Sequence, residues 1–366
     1  MSTVRVGVRC DAGPTRGVGH LVRCLALAEE FLARGARVEF FGTVEGVGWA
    51  RRQLADRGVP LHPGPERPED LVAAARRHDL DVLVLDSYEL DPAGAGALRA
   101  AGVVTLAVVD GDTRGQDADV YLDQNLGATH GALPGRLLAG TAYPLLRDAV
   151  VAARPAAPRP PTPAGRPRVL AFFGGTDAFG AAPVLARVLL ATGHPMDLTV
   201  VVGRADVEAE LAALIPGRGQ ALRPIPPTDD LPALITAADL VVSAAGTSTW
   251  ELCCLGAPAA LVCVVDNQRE SYHRVVAEGI VAGLGELPAL AAAGLPGRAA
   301  RADAARTLRA LLASPERRAA LAARAWSTVD GHGRSRVADT LLALLPSPPT
   351  PPSRVDQEVC VRKPAW

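Results

Sequence analysis

His20 is the residue whose type and setting most directly suggest chemistry. It lies in residues 15–23, where Gly17 and Gly19 follow an apolar run and precede an apolar helical pattern. Glycines let a ligand approach the backbone, and a helix N-terminus offers free N–H groups and a positive dipole end. That dipole favours a neutral imidazole, the form that accepts a proton from water or a hydroxyl. The segment predicts a general base, although a glycine-rich turn capped by a histidine explains this motif alone equally well.

Three polar clusters follow apolar runs and so mark the ends of predicted strands. In a parallel sheet, ligands collect at the carboxyl ends of the strands. Carboxylate, phenol and amide groups at these ends should therefore lie beside His20 and line one wall of a cleft. The clusters are Asp86-Ser87-Tyr88, Asp110-Gly111-Asp112 and Asp123-Gln124-Asn125.

Two turns in the second half of the chain have the composition of an anion site. Residues 172–177 and 243–251 each close an apolar run and open a helical pattern with glycine, threonine or serine. Backbone N–H groups and hydroxyls at a helix start bind phosphate groups. The structural alternative is that Thr247 or Ser248 caps the helix and Glu251 completes a capping box. Glu251 could instead turn inward and accept hydrogen bonds from the hydroxyls of a ribose.

The elements that must position these residues are short strands that alternate with helices. Valine- and leucine-rich runs that are apolar on both faces and separated by helices are typical of parallel sheets. Such runs occur near 4–8, 38–41, 80–85 and 103–109, and again near 169–173, 198–202, 240–243 and 259–264. We therefore expect two α/β domains that face each other across a ligand cleft.

A proline-rich stretch divides the two series of strands. Residues 152–167 contain six prolines and no periodicity, which favours a linker. We expect an N-terminal domain over 1–151, the linker over 152–167, and a C-terminal domain with a helical extension over 168–345. The proline-rich tail, 346–366, is expected to be disordered.

The composition excludes several classes of protein. A net charge of −1 and the lack of a long basic run give no support for nucleic-acid binding. The six cysteines lie in apolar surroundings without a CxxC pair, which favours reduced core thiols over disulfides or zinc ligands. Neither a signal peptide nor a membrane-spanning run is apparent, so we expect a cytoplasmic protein.

As an ordered set, these motifs resemble a known family. The set begins with Arg9-x-Asp11 and Gly19-His20-x-x-Arg23 and ends with Asn267-Gln268 after the second turn. It is similar to the UDP-2,4-diacetamido-2,4,6-trideoxy-β-L-altropyranose hydrolases of pseudaminic acid biosynthesis and to related spore-coat polysaccharide glycosyltransferase-like proteins, over about residues 4–285. The resemblance implies the glycosyltransferase-B fold, with two Rossmann-like parallel-sheet domains facing across a cleft.

The resemblance also implies roles for individual residues. His20 would activate the water that attacks the anomeric carbon of a UDP-amino-deoxysugar, and Asp11 and Tyr88 would orient His20, the water or the sugar. The products would be free sugar and a nucleoside diphosphate. Substrate contacts would come from Arg9, Gly19, Arg23, Asp86, Asn125 and Arg147, and nucleotide contacts from Gly174, Gly175, Thr176, Gly246, Thr247, Ser248, Glu251, Asn267 and Gln268.

Two other functions remain open at this point. A glycosyltransferase would use His20 to activate an acceptor hydroxyl in place of water, and a non-catalytic protein would only bind the nucleotide sugar. The expected partner is a nucleotide sugar, with no cofactor and no metal, and the oligomeric state is undetermined. The other histidines follow no ligand spacing and are expected at the surface or in loops: His62, His78, His130, His194, His273 and His332.

Overall fold

The computed structural model describes residues 3–13, 17–46, 48–161 and 165–346 of the 366-residue chain. Two sheets dominate it. The first has seven strands in the order β3-β2-β1-β4-β5-β6-β7, and the second has six in the order β10-β9-β8-β11-β12-β13. Every pairing between these strands is parallel, which confirms the predicted fold class of two Rossmann-like α/β units.

The first unit alternates strands and helices from the start of the chain. Its elements are β1 (Arg5–Cys10), α1 (Gly19–Ala33), β2 (Arg37–Phe41), α2 (Gly48–Asp56), β3 (Leu61–His62), α3 (Pro68–Arg77), β4 (Val82–Asp86), α4 (Ala93–Ala100), β5 (Val104–Val108), β6 (Val120–Asp123) and β7 (Arg136–Ala139). The chain then continues through α5 (Asp148–Ala152), whose Val150 is buried in a core of the second unit.

The second unit repeats this alternation and ends in four helices. Its segment of the chain contains β8 (Arg168–Phe172), α6 (Ala181–Ala191), β9 (Met196–Val201), α7 (Ala205–Ala212), β10 (Gln220–Ile225), α8 (Leu231–Ala237), β11 (Leu240–Ala244), α9 (Ser248–Cys254), β12 (Ala259–Cys263), a 3-10 turn (Asp266–Gln268), α10 (Arg269–Ala277), β13 (Ala282–Glu286), α11 (Leu287–Ala291), α12 (Gly294–Ala313), α13 (Pro315–Thr328) and α14 (Gly333–Leu342).

Each sheet is covered by helices on both faces. The central strands β4 and β12 are buried along their whole length, as their runs of apolar residues require. Parallel pairing places the carboxyl ends of the neighbouring strands at one edge of each sheet. The polar clusters that follow β4, β5 and β6 therefore lie together at this edge of the first sheet.

The last helix does not stay with the second unit. α14 packs against α1, and Val337, Ala338 and Leu341 are fully buried in the core of the first unit. The expectation that residues 168–345 form one C-terminal domain is thus wrong for α14. The described part of the predicted linker contacts the second unit: the guanidinium of Arg154 donates to the carbonyl oxygen of Cys254 at 2.7 Å. All but the first residue of the predicted tail lies outside the described residues.

The cysteines of the described segments are all buried and unpaired, as expected for reduced core thiols. Burial raises the pKa of the Cys253 thiol to about 12, so it stays protonated at neutral pH. Within the same segments, no helix has both the length and the apolar character that crossing a membrane requires.

Candidate active site

A cavity of about 870 Å³ lies between the two units, at the carboxyl ends of their central strands. The two-domain arrangement brings together the turn before α1, the polar clusters of the first sheet and the glycine-rich turns of the second. The predicted site residues that line this cavity are Asp11, Gly19, His20, Arg23, Asp86, Tyr88, Asn125, Arg147, Gly174, Gly175, Thr176, Gly246, Thr247, Ser248, Glu251, Asn267 and Gln268.

His20 and Asp86 form the central contact on the first-unit side of the cavity. His20 is the second residue of α1, and Asp86 is the last residue of the buried strand β4. Nδ1 of His20 lies 2.6 Å from Oδ1 of Asp86. Because an ionised carboxylate can only accept a hydrogen bond, Nδ1 carries a proton, and in the neutral form of the imidazole Nε2 has the lone pair. The imidazole lines the cavity and its side chain is 22% exposed, so a ligand in the cavity can contact the ring.

Arg23 holds Asp86 in its ionised form. Its Nε and Nη2 donate to the two oxygens of Asp86, each at 2.7 Å, and Nη2 also lies 3.1 Å from Asp110. Burial alone would raise the pKa of Asp86, but the charge of Arg23, and then His20, outweigh it and lower that pKa. Asp86 is therefore a fixed negative charge beside the imidazole.

Tyr88 lies on the other side of His20. The two rings meet edge to face with centroids 4.7 Å apart, and the Tyr88 hydroxyl donates to Asp110 at 2.5 Å. Burial, followed by the charge of Asp110, raises the pKa of Tyr88, so the hydroxyl stays protonated. The guanidinium of Arg114 lies 3.9 Å from the centroid of the Tyr88 ring. These contacts fix the imidazole in one orientation.

Asn125 and His130 extend this network along the sheet edge. The Asn125 amide donates to Asp110 at 3.2 Å and to Asp123 at 2.9 Å. Nε2 of His130 contacts the other oxygen of Asp123 at 2.9 Å. His130 is therefore a nearly buried partner of Asp123, with a side chain that is 5% exposed.

Asp11 and Arg9 form an ion pair. Arg9 is buried, and its guanidinium donates to Asp11 at 2.7 Å and to the carbonyl oxygen of Pro65 at 2.8 Å. The other oxygen of Asp11 accepts from the backbone N–H of Thr43. Asp11 lines the cavity and contacts Arg9 and Thr43, whereas Asp86 contacts His20; its predicted role of orienting His20, the water or the sugar therefore stays open only for the water or the sugar. Arg9 does not line the cavity, so the prediction that it contacts the substrate is not supported; its guanidinium binds Asp11 instead.

The opposite side of the cavity is formed by the two glycine-rich turns. Gly174 has φ +72°, a left-handed conformation that favours glycine, and turns the chain sharply after β8. Asp177 accepts hydrogen bonds from the N–H groups of Ala181 and Ala182 and so satisfies the start of α6. The N–H groups that a phosphate would need at this turn must therefore come from Gly174 to Thr176, ahead of the helix.

The second turn does not form the capping box that its sequence also allowed. Thr247 precedes α9 without a capping hydrogen bond from its side chain. Glu251 is buried and accepts a hydrogen bond from Nη2 of Arg147 at 3.1 Å, so its carboxylate binds a residue from the segment before α5 and not the start of its own helix. One oxygen of Glu251 is thus held by Arg147 while the residue still lines the cavity.

The two units approach each other closely at two glycines. A Cβ on Gly175 would lie 2.7 Å from Cγ2 of Val18, and one on Gly19 would lie 3.2 Å from Oγ1 of Thr247. Trp49 of α2 closes a third side, donating from its indole N–H to Asp229 of the second unit at 2.8 Å. These contacts join the catalytic candidates and the anion-type turns in one enclosed site.

Two aromatic residues of the site escaped sequence analysis. Trp49 and Phe179 both line the cavity, and Phe179 is 53% exposed. Each lies just after a glycine-containing turn near a helix start. An aromatic residue beside a glycine at a predicted helix start is the sequence signal that could have identified them.

Comparison with known proteins supports the fold. No protein-family model matches the sequence. The chain is 24% identical over 300 residues to the spore coat polysaccharide biosynthesis protein SpsG of Bacillus subtilis (strain 168), covering 78% of this chain and 85% of the relative.

Solved structures give the same result at lower identity. MurG of Acinetobacter baumannii superposes with a TM-score of 0.67 and 17% identity, covering 93% of this chain and 100% of that one. UDP-GlcNAc 2-epimerase of Neisseria meningitidis, bound to UDP-GlcNAc, superposes with a TM-score of 0.62 and 12% identity, covering 93% of this chain and 100% of that one. The glycotransferase of kitacinnamycin superposes with a TM-score of 0.60 and 18% identity, covering 94% of this chain and 99% of that one. The chain therefore has the glycosyltransferase-B fold.

Proposed function

We propose that the chain hydrolyses a nucleotide sugar, with His20 as the general base. The observation that carries the proposal is the His20–Asp86 contact: its Nδ1 is held by a buried carboxylate, and the imidazole opens onto the inter-unit cavity. A general base needs a positioned lone pair and a partner that stabilises its protonated form. Asp86 positions the imidazole and its lone pair, and its negative charge stabilises the protonated form.

The reaction follows from this placement. Nε2 of His20 takes a proton from water, and the water oxygen bonds to the anomeric carbon of the sugar. The bond between that carbon and the diphosphate oxygen breaks, and its electron pair leaves with the nucleoside diphosphate. The imidazolium that forms lies 2.6 Å from Asp86, which stabilises it. A diphosphate is a good leaving group, so one oriented base and a fixed angle of attack provide much of the catalysis.

The opposite side of the cavity is the proposed nucleotide site. The turns 174–176 and 246–248 line the cavity, and the side chain of Thr247 makes no capping hydrogen bond. Backbone N–H groups and hydroxyls at such helix starts bind phosphate groups. Glu251, held by Arg147, retains an oxygen for a ribose hydroxyl. UDP is the favoured nucleotide, because solved relatives of this fold include one bound to UDP-GlcNAc and the MnaA protein of S. aureus with UDP.

Sugar transfer is the second candidate. Its support is the relative SpsG, whose name places it in spore coat polysaccharide biosynthesis, where sugars are joined into chains. In that case His20 would remove the proton from an acceptor hydroxyl, and the remaining chemistry would be unchanged. The exposed ring of Phe179 at the cavity offers an apolar contact for such an acceptor.

Product analysis in oxygen-labelled water separates these functions. The purified protein is incubated with a panel of UDP-sugars, and the products are weighed by mass spectrometry. Hydrolysis at the anomeric carbon places the label in the free sugar and none in UDP. Release of UDP only after an alcohol is added would support transfer, and label in the phosphate would contradict attack at carbon.

A substitution of His20 tests the assigned base. His20→Gln is expected to lower kcat by about 100- to 10,000-fold, the usual contribution of general-base catalysis. UDP affinity, measured by calorimetry, should stay within a few-fold because the nucleotide site lies on the other unit. His194→Gln is the matched control, since His194 lies outside the cavity and its ring contacts the carbonyl oxygen of the neighbouring Pro195. Retained turnover in His20→Gln would remove His20 from the mechanism.

A further inference from the structure

A second group of chemically competent side chains lies on the first unit, away from the inter-unit cavity. Glu39 of β2, His62 of β3 and His78 at the end of α3 converge, and their ligand atoms all lie within 4.8 Å of one another. Oε2 of Glu39 lies 2.9 Å from Nε2 of His62 and 2.5 Å from Nδ1 of His78. None of the three residues lines the proposed active site.

No local spacing in the sequence indicates this cluster, because its members come from three separate elements. β2 and β3 pair in parallel with Phe41 opposite His62, which places Glu39 diagonally across from His62 on the same face. α3 covers this face and ends where His78 reaches the same carboxylate. The cluster is thus assembled by the pairing of an edge strand and the packing of a helix.

The donor set selects a class of ion. Two imidazole nitrogens and one carboxylate oxygen are ligands that Zn²⁺ and neighbouring late first-row ions accept, whereas Mg²⁺ and Ca²⁺ prefer oxygen ligands alone. The three side chains are between 19% and 31% exposed, so water can complete the coordination. Each neutral imidazole would offer the lone pair of the nitrogen that now faces Glu39, with its proton on the other ring nitrogen.

An aromatic neighbour fixes both imidazoles. The Phe41 ring stacks on His62 with centroids 5.1 Å apart and an angle of 28°, and it meets His78 edge to face, also at 5.1 Å. The two imidazoles lie 4.5 Å apart. Rings held in this way lose little freedom when a metal binds, which favours affinity.

We propose that Glu39, His62 and His78 form a binding site for Zn²⁺ or a similar late transition-metal ion. The site has a structural role, since β3 is only two residues long and pairs with β2 at two positions. The ion would tie this short edge strand to β2 and to the end of α3. Its occupation does not depend on the proposed reaction at His20.

The test is direct metal binding by the full-length protein after treatment with a chelator. Zn²⁺ affinity is measured by competition with a chromophoric chelator, and Co²⁺ is used as a spectroscopic probe. We expect one tight site and a Co²⁺ visible spectrum of nitrogen and oxygen ligation, without the intense thiolate bands that bound cysteine would give. Added Zn²⁺ should also raise Tm, because it binds the folded state.

Substitutions separate this site from other histidines. Glu39→Gln keeps a hydrogen-bonding group of the same size and should lower Zn²⁺ affinity by at least about 10- to 100-fold. Removal of a residue that only hydrogen-bonds to a metal ligand already has an effect of this size. His62→Asn combined with His78→Asn should abolish tight binding and the Tm increase. His194→Gln and His20→Gln should bind as the wild type does. Equal Zn²⁺ affinity in the wild type and in the double variant would overturn the proposal, as would thiolate bands in the Co²⁺ spectrum.

Discussion

Asp86 determines the electrostatics of the candidate active site. It is 1% exposed and accepts hydrogen bonds from His20 and from two nitrogens of Arg23. Removing one partner of a buried ion pair leaves the other charge poorly compensated. Asp86→Asn should therefore lower the free energy of unfolding at pH 7 by about 3–5 kcal/mol, measured by urea denaturation. Asp303→Asn, an exposed carboxylate paired with Arg306, is the control and should change it by no more than about 0.5 kcal/mol.

The effect of Asp86→Asn should depend on pH in a defined direction. The pKa of Asp86 is lowered in the folded protein, although burial opposes this, because Arg23 and His20 stabilise the carboxylate. Its stabilisation is complete above the unfolded-state pKa of about 3.9 and is lost as the pH falls toward the folded-state value. The stability difference between the wild type and Asp86→Asn should thus narrow below about pH 4. A constant difference down to the acid transition would contradict this assignment.

Residue types at strand ends were predictable, but their pairing was not. The sequence placed His20, Asp86 and Tyr88 near one sheet edge because each follows or precedes an apolar run. It could not show that Asp86 and not Asp11 faces His20. That choice depends on Arg9, whose buried guanidinium binds Asp11, and on the Thr43 backbone, which lies 32 residues away from Asp11 in the chain. Contacts between distant segments of this kind leave no local pattern.

At the scale of elements, the interior strands were predictable and the edge strands were not. Each apolar run identified in the sequence corresponds to an interior strand. The strands without such a run are the outermost ones of both sheets: β3, β7, β10 and β13. An edge strand pairs on one side only and is less buried, so it needs no continuous apolar run. β10 includes Pro224 and β13 includes Gly283 and Gly285, which further weaken the strand signal.

The turn after β8 gives a prediction about how the two units approach. A Cβ on Gly175 would lie 2.7 Å from Cγ2 of Val18, so Gly175→Ala must displace the side chain of Val18, which immediately precedes α1 and lines the cavity. Under the proposed function, we expect KM for the UDP-sugar to rise and kcat/KM to fall about tenfold or more, since small misplacements at a reacting centre are costly. Steady-state kinetics measure both parameters.

Gly96→Ala provides the matched control for Gly175→Ala. Gly96 lies within α4, and an added Cβ there would make only an ordinary contact, 3.6 Å from Asp117. Alanine is the better helix former, so this variant should be neutral or slightly stabilising and should keep wild-type kinetics. Wild-type kinetics in Gly175→Ala as well would mean that the close approach of the two units does not shape the site.

At the scale of the whole molecule, the chain crosses between its two units more than once. After the last helices of the second unit, α14 returns to α1 and buries Val337 and Leu341 in the first core. Arg334 strengthens this return with a contact to the buried Glu29 at 3.2 Å. The helical pattern near the C-terminus does not indicate which core α14 joins. The apolar face of an amphipathic helix shows that the helix packs against a core, but it does not identify that core.

The returning helix should therefore support the stability of the first unit, although it follows the second in the chain. Leu341 is fully buried, so Leu341→Ala should lower the free energy of unfolding by about 2–5 kcal/mol. Leu344, just beyond α14 and 47% exposed, is the control, and Leu344→Ala should cost no more than about 0.5 kcal/mol. Urea unfolding measures both, followed by fluorescence in variants that keep a single tryptophan, either Trp49 in the first unit or Trp250 in the second. An equal cost for the two variants would contradict the packing of α14 on α1, whereas a loss at Leu341 confined to the second unit's signal would assign the helix to that unit.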